Sequence, residues 1–398
     1  MTPIRLAHFT ATSCLGSGIE ATLSALRQAR GGLAPCRFET VRDLPTHIGK
    51  VAAVDEVRLP LALADYDCRN NRLALLGLQQ DGLPEAVAAA IGRYGRRRIG
   101  VFLGTSTAGI LQTELAYRHL DPRTGALPAD FIYRTTHNTY SVADFVRRWL
   151  GLEGPAAVVS TACSSSAKVF ASAGRMLDAG VIDAAIVGGV DSLCLTTLYG
   201  FNSLELLSPE PCRPFDRDRQ GLSIGEAAAY VLLECPGQSL DPEAVLLLGV
   251  GESSDAYHMS APHPQGLGAR MAMAAALQSA GLEPADIDYI NLHGTATPSN
   301  DTAEGKAVAS LYGDATPCSS TKGATGHTLG AAGALEAVIC ALALEQGFLP
   351  GGINTLHLDP AIPIRYLTAN SDLRPRRVMT NAFGFGGTNC SLVLGKAG

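Results

Sequence analysis

The chain of 398 residues holds no CxxC pair; its ten cysteines stand at 14, 36, 68, 163, 194, 212, 235, 318, 340 and 390 without regular spacing. That argues against a zinc ribbon or a disulfide framework, and most of these thiols are expected to be reduced, buried small hydrophobes. Nor is there a run of about 20 apolar residues such as a bilayer helix needs. The longest, Ala331–Leu344, is broken by Glu336, and the N-terminal MTPIRLAHFTATSC lacks a convincing charged segment and cleavage site. A soluble cytoplasmic protein without a membrane span is the expectation. No P-loop occurs, and LGSG and GFGG fall short of the dinucleotide fingerprint, so no nucleotide cofactor is indicated. Net charge is −6, which argues against nucleic acid as the main partner. Local basic clusters at Arg93–Arg98 (RYGRRR) and at Arg147 and Arg148 are candidate docking sites for an acidic partner.

What is present is an apolar fraction of 46% with 17% charge, which describes a globular chain able to bury one large core or two fused ones. Short apolar runs alternate with helical ones, the mark of an α/β protein with largely parallel strands. RRIGVFLGT, AAVVST, DAAIVGG and AAYVLLE read as strands of a first half. AVLLLGVG, IDYINLHG, TPCSST, RVMTNAFG and CSLVLG read as strands of a second. The halves look like weak copies: VVSTACSSSAKVFASAGRML matches PCSSTKGATGHTLGAAGALEAV, each a strand, a Ser/Thr-rich turn and a long helix. The seam is expected near CPGQSLDPEA, giving residues 1–238 with the nucleophile and 239–398 with two histidines.

Such an elbow places Cys163 near a helix N-terminus, where the dipole and free N–H groups favour a thiolate nucleophile. The three following serines then read as helix-opening residues that help keep that thiolate stable. His293 (NLHGTATPSND) and His327 (TKGATGHTLGAAG) sit in glycine- and hydroxyl-rich loops at strand ends. Cys163 with both histidines forms a set suited to acyl transfer and enolate stabilisation. A zinc site from the same trio is the weaker reading, since no HExxH or paired CxxC supports it, and no metal is expected. Glu336 lies in an apolar helix and needs a buried partner, with Lys322 or a loop N–H as the candidates. NAFGFGGTN carries Phe383 and Phe385 in a glycine-rich turn, fitting a mobile aromatic plug for an apolar tunnel. GLSIG (221–225) satisfies the serine-hydrolase G-x-S-x-G pattern around Ser223, but a polar loop precedes it where a strand is required.

STACSSS, HGTATPSND, TKGATGHTLGAAGALEA and NAFGFGGTN, in that order, closely resemble the motifs of β-ketoacyl-acyl-carrier-protein synthases of the type I/II condensing-enzyme group. CRPFDRDRQGLSIGEAAAYVLLE and SSDAYHMSAP extend the resemblance over most of the chain. It implies a thiolase-like fold, duplicated α/β halves in five α-β-α-β-α layers, with GLSIG a structural turn. By motif position it makes Cys163 the acylated nucleophile, with His293 and His327 promoting malonyl decarboxylation. Lys322 and Glu336 would support them electrostatically, and the N–H groups of Cys163 and Phe385 would form the oxyanion hole. Phe385 would gate the tunnel, Thr295 and Thr297 would bind pantetheine, and Thr107, Phe201 and Phe383 would line the substrate pocket. No cofactor is implied, because acyl groups arrive on the phosphopantetheine of acyl carrier protein. The partners implied are that carrier and a second subunit, as a homodimer or a heterodimer with a paralogous synthase or chain-length-factor subunit.

Three stretches depart from the family pattern: TATSCLGSG, CRNNRLALLG, and Glu205 where a carrier-binding arginine often sits. Arg69 and Arg72 remain candidate carrier contacts, and a specialised pathway such as aryl polyene assembly is one expectation beside fatty-acid or polyketide extension. The competing readings are a non-catalytic chain-length-factor-like subunit, which would usually lack the cysteine, and a Ser223 hydrolase.

Overall fold

The computed structural model describes residues 1–41, 43–237 and 240–398. Strands β1 (Ile4–Ser13), β2 (Ile99–Gly104), β3 (Ala156–Val159), β4 (Ala184–Asp191) and β5 (Ala227–Glu234) lie side by side in the order β3-β2-β4-β5-β1. Strands β6 (Val245–Ser254), β7 (Tyr289–Asn291), β8 (Pro317–Ser319), β9 (Arg377–Gly384) and β10 (Thr388–Lys396) follow in the order β8-β7-β9-β10-β6. Counted from the start of each set, both orders read third, second, fourth, fifth, first. The pairings repeat as well: the second strand is parallel to the third and fourth, whereas the fifth is antiparallel to the fourth and first. One plan has been used twice.

Each set is therefore mixed, not largely parallel as the alternating sequence pattern suggested. The link between β9 and β10 shows why: only Phe385–Gly387 separates them, and so short a connection permits only antiparallel neighbours. The two sets touch at one corner, where Ile4 pairs with Leu247 and Arg5 with Leu246.

Side-chain alternation along the strands sets the layers. On β5, Ala227, Ala229, Val231 and Leu233 enter one core, while Ala228, Tyr230 and Leu232 enter another. On β9, Val378 and Ala382 share the first of these cores, whereas Met379 and Phe383 enter a third. Helices α1 (Arg69–Leu78), α2 (Leu83–Tyr94) and α3 (Tyr140–Trp149) cover the outer face of the first set, and α4 (Ser165–Asp178) lies on its inner face. Helices α5 (Leu267–Ala280) and α6 (Pro298–Tyr312) cover the outer face of the second set. Helix α7 (Ala332–Gln346) lies beside α4 between the two sheets. Five alternating α and β layers result.

The centre of the stack accounts for the apolar run. Every residue from 332 to 344 is buried, Glu336 included, because α7 has a sheet on either side. Each Leu, Ile or Val enclosed there contributes roughly 1.5–3 kcal/mol. The segment Leu329–Gln346 has the length and composition of a membrane span, yet 89% of it is buried inside the protein. The seam expected between 238 and 239 falls on two residues outside the described ones.

Candidate active site

Between β3 and α4 the chain turns sharply at residues 161–164. Ala162 takes φ = 50°, a left-handed conformation that costs a non-glycine residue roughly 1–2 kcal/mol. Local hydroxyls hold the turn: Ser164 Oγ donates to the Thr161 carbonyl at 2.9 Å, and Ser165 Oγ accepts from the Thr161 N–H at 2.9 Å. Ser166 Oγ accepts from the Ala334 N–H at 2.9 Å, stapling α4 to α7. The three serines thus serve the backbone of the elbow and the helix pair, a correction to the expectation that they stabilise the thiol. Gly384 passes close by: a Cβ there would lie 2.8 Å from the Thr161 carbonyl oxygen. Only glycine admits the β9–β10 turn so near the elbow.

Cys163, 5% exposed, meets residues from two loops of the second set. His327 Nε2 lies 2.9 Å from its Sγ. The backbone of His327 is gripped by the GLSIG segment, donating to the Ser223 carbonyl at 2.7 Å and accepting from the Gly225 N–H at 2.9 Å. Ser223 itself is fully buried, and its Oγ accepts from the Cys212 N–H, which leaves it in a structural turn. His293 follows β7, and its ring stands edge-on to that of His327, centroids 5.3 Å apart at 87°. Lys322, just after β8, is 1% exposed, and its Nζ donates to Glu336 Oε1 at 2.5 Å. The sequence-derived Cys/His/His/Lys/Glu set therefore stands together in space.

Burial dominates the electrostatics. It pushes the Cys163 thiol up to about 11, against the pull of the Lys322 cation and of the Phe385 and Cys163 backbone N–H groups. The resting sulfur is thus a thiol, and the expected elbow thiolate is corrected: desolvation outweighs the helix end. Burial, then the Lys322 charge, holds His327 well below the ordinary imidazole value; His293 is lowered by the same causes and by His327. Both rings are neutral at pH 7, so His327 is free to take the sulfur's proton. Burial pushes the Glu336 carboxyl up to about 7, and the bonded Lys322 opposes this. The Cys163, His293 and His327 donor atoms lie within 4.8 Å of one another, a spacing that a divalent ion also accepts. The buried Lys322 charge beside them disfavours a second cation.

The thiol opens into a small cavity of about 50 Å³. Phe201, Leu206, Leu222 and Phe385 form its apolar wall, while Thr295 and Thr297, Oγ atoms 2.9 Å apart, lie on its polar side. Phe201 and Phe385 pack ring to ring at 5.6 Å, and Phe383 lies 5.8 Å from the His293 ring. Thr107 does not reach this cavity: it is buried, with its Oγ1 donating to Asp191 at 2.8 Å. Arg69 is likewise unavailable to a carrier, being buried against Glu226 and Asp55, and Arg72 is held by Asp67. The basic clusters are largely committed as well, since Arg93 pairs with Glu234, Arg97 with Glu153, Arg98 with Asp183, and Arg147 and Arg148 with Asp144.

One carboxylate of the site was not anticipated. Glu304 on α6 is buried and accepts the His293 N–H at 2.7 Å and the Gly294 N–H at 2.8 Å, fixing the histidine loop. Burial pushes it up to about 7. Asp301, one turn earlier, accepts the Phe215 N–H at 2.8 Å. The signal lay in the i, i+3 carboxylates of PSNDTAEGKAV, which share one helix face.

Two family models match the chain: Beta-ketoacyl synthase, N-terminal domain, over residues 77–236, and Beta-ketoacyl synthase, C-terminal domain, over residues 244–356. The mitochondrial 3-oxoacyl-[acyl-carrier-protein] synthase of Arabidopsis thaliana is 36% identical over 318 residues, covering 75% of this chain and 68% of that protein. The 3-oxoacyl-[acyl-carrier-protein] synthase 2 of Staphylococcus aureus is 33% identical over 315 residues, covering 75% of each. Among solved structures, a chain of the ketosynthase in complex with its chain length factor from Xenorhabdus doucetiae matches with a TM-score of 0.90 and 41% identity, over 100% of this chain and 98% of that one.

Proposed function

The chain belongs to the β-ketoacyl synthase family, and from that premise we propose that it condenses an acyl group held on Cys163 with a malonyl group on acyl carrier protein. The observation that carries this reading is the 2.9 Å contact between a buried thiol and a neutral imidazole at the end of an apolar cavity.

In the first half-reaction His327 Nε2 accepts the sulfur's proton as Sγ attacks the carbonyl carbon of the incoming thioester. The N–H groups of Cys163 and Phe385 are offered to the resulting oxyanion, where losing one such donor costs about 10²- to 10³-fold in rate. The tetrahedral centre collapses, and the carrier thiolate leaves with the proton from His327. In the second, the malonyl C–C bond to its carboxylate breaks and CO2 departs. The electron pair becomes an enolate whose oxygen faces His293 and His327. Its carbon attacks the acyl-cysteine, and the Cys163 thiolate leaves, lengthening the chain by two carbons. Burial, reinforced by the charge of Lys322 paired with Glu336, keeps both imidazoles neutral for these tasks. Thr295 and Thr297 would hold the pantetheine arm, and Phe201, Phe383 and Phe385 would line and gate the acyl chain. Synthases of this family use no cofactor of their own, their acyl groups riding on carrier phosphopantetheine.

A second subunit fits the same reading. Strand β3 is an edge strand with partly exposed residues, and Tyr117, Ile132, Tyr133 and Tyr199 leave apolar surface uncovered. We take the assembly as a dimer with itself or a paralogue, with residues 1–238 and 239–398 as its two fused halves and the cytoplasm as its compartment. Purified protein supplied with acyl carrier and malonyl carrier is expected to release CO2 and yield a β-ketoacyl carrier two carbons longer. Absence of that product, alone and with a paralogous subunit that carries no nucleophile, overturns the reading. The partner-only alternative is disfavoured by the intact Cys163–His327 contact.

A further inference from the structure

Asp191 ends β4 and is fully buried. Its Oδ1 accepts hydrogen bonds from Thr105 Oγ1 at 2.7 Å and from the Ser106 N–H, the Thr107 N–H and Thr107 Oγ1 at 2.8 Å each. Its Oδ2 accepts from Ser106 Oγ at 2.6 Å and from the Gly330 N–H at 2.5 Å. Every one of these donors is neutral. Residues 105–107 follow β2 of the first set, whereas Gly330 lies three residues after His327 in the second. One carboxylate thus ties the two sets together beside the point where thiol and imidazole meet. The fit is tight: a Cβ on Gly330 would lie 2.7 Å from Asp191 Oδ2, and the preceding Leu329 is held at φ = 54°.

The way His327 is held makes this tie matter. Its ring Nδ1 has no hydrogen-bond partner among the described residues, so no second side-chain bond orients the ring. Orientation is inherited from the backbone. At the histidine itself the backbone is clamped by Ser223 and Gly225, and downstream the next fixed point is the Gly330 N–H. We propose that Asp191 is the positioning residue that sets His327 against Cys163, locking the Gly330 end of the histidine loop onto the 105–107 turn. The proposal rests on the condensing reading only in using acyl transfer as one of its assays.

Asp191 also brings a negative charge to a thiol that otherwise faces Lys322, His293 and His327, and that charge opposes ionisation of Cys163. Replacing it therefore has opposite effects on two assays. Asp191→Asn keeps the shape but turns an amide NH2 toward donors. Acyl transfer from hexanoyl carrier protein to Cys163 is expected to fall about 10- to 100-fold, with KM for the carrier unchanged. Iodoacetamide alkylation of Cys163, read by peptide mass spectrometry, is expected to move to lower pH. A residue needed only for folding would depress both together. Transfer within about twofold of wild type, or parallel loss of both, overturns the proposal. Should Asp191→Asn fail to fold, Ser106→Ala decides, because it removes one donor to Oδ2 and a second acceptor 3.2 Å from the Gly330 N–H. A several-fold loss of transfer with unchanged alkylation supports the proposal, and unchanged transfer overturns it. Wild-type protein that takes up no acyl group at all sinks the condensing reading instead. In that case an Asp191→Asn alkylation profile identical to wild type still overturns the role of Asp191.

Discussion

Cys163 Sγ and His327 Nε2 stand 2.9 Å apart in a buried site where the thiol keeps its proton and the imidazole is neutral. The pair is a base beside an acid that has not yet given up its proton, not a preformed thiolate–imidazolium ion pair. Its chemistry is therefore triggered by substrate, whose carbonyl accepts the sulfur's electrons as the proton moves to nitrogen.

Alkylation should report this resting state. With the Cys163 thiol pushed up to about 11, the iodoacetamide rate at that residue is expected to climb steadily from pH 7 to pH 10. A profile that levels off below pH 7 would mean an ion pair and would contradict the assignment.

The Lys322–Glu336 pair predicts an asymmetric stability result. Lys322→Met strands a buried carboxylate and is expected to cost about 3–5 kcal/mol in urea unfolding, while Lys322→Met with Glu336→Leu costs less. The sign with pH follows from Glu336, already raised from 4.5 to about 7 with its partner present. Without Lys322 its folded value rises further, so the loss relative to wild type is small below about pH 7, where both folded proteins hold this carboxyl protonated, and grows as pH rises above that. Equal losses at pH 5 and pH 8 would refute this.

Glu304→Ala should uncouple decarboxylation from thiol reactivity. It leaves the His293 and Gly294 N–H groups unpaired in a buried loop. CO2 release from malonyl carrier is expected to drop about 100-fold, while Cys163 alkylation changes little. Parallel loss of the two would show that Glu304 supports the whole fold and not the His293 loop.

Alkaline pH should unfold the chain early. Burial raises Cys14, Cys68 and Cys194 from 9.0 to about 12, and Cys163 and Cys212 to about 11. Folded values above the unfolded one mean that this stability is complete below pH 9 and is lost as pH rises from 9 through 11 and 12. The melting temperature is expected to fall steeply above pH 9. A flat Tm between pH 8 and pH 11 would count against it.

Much of this was legible in the chain because the motifs are local. Strand, hydroxyl-rich turn and helix around Cys163, and their copy around His327, occupy short contiguous stretches, and the repeated strand order reflects that copy. What stayed hidden depends on distance in sequence. Strand β1 is hidden in the sequence because IRLAHFTATS mixes polar and apolar residues at the chain start. Thr107 looked like a pocket residue, but the carboxylate that claims it stands 84 positions away. The elbow's dipole suggested a thiolate; how deeply the second set of strands buries the sulfur was not written in the elbow. Glu304 stays hidden because its His293 and Gly294 partners are backbone N–H groups, and Asp191 because its hydroxyl and N–H partners stand 84 to 139 positions away.

The most direct measurement is intact-protein and peptide mass spectrometry of the chain incubated with hexanoyl carrier protein. A mass gain of one hexanoyl group is expected, mapped to the peptide containing Cys163 and absent in Cys163→Ala. Acylation that persists in that variant, or that maps to Ser223 or another cysteine, would contradict Cys163 as the nucleophile.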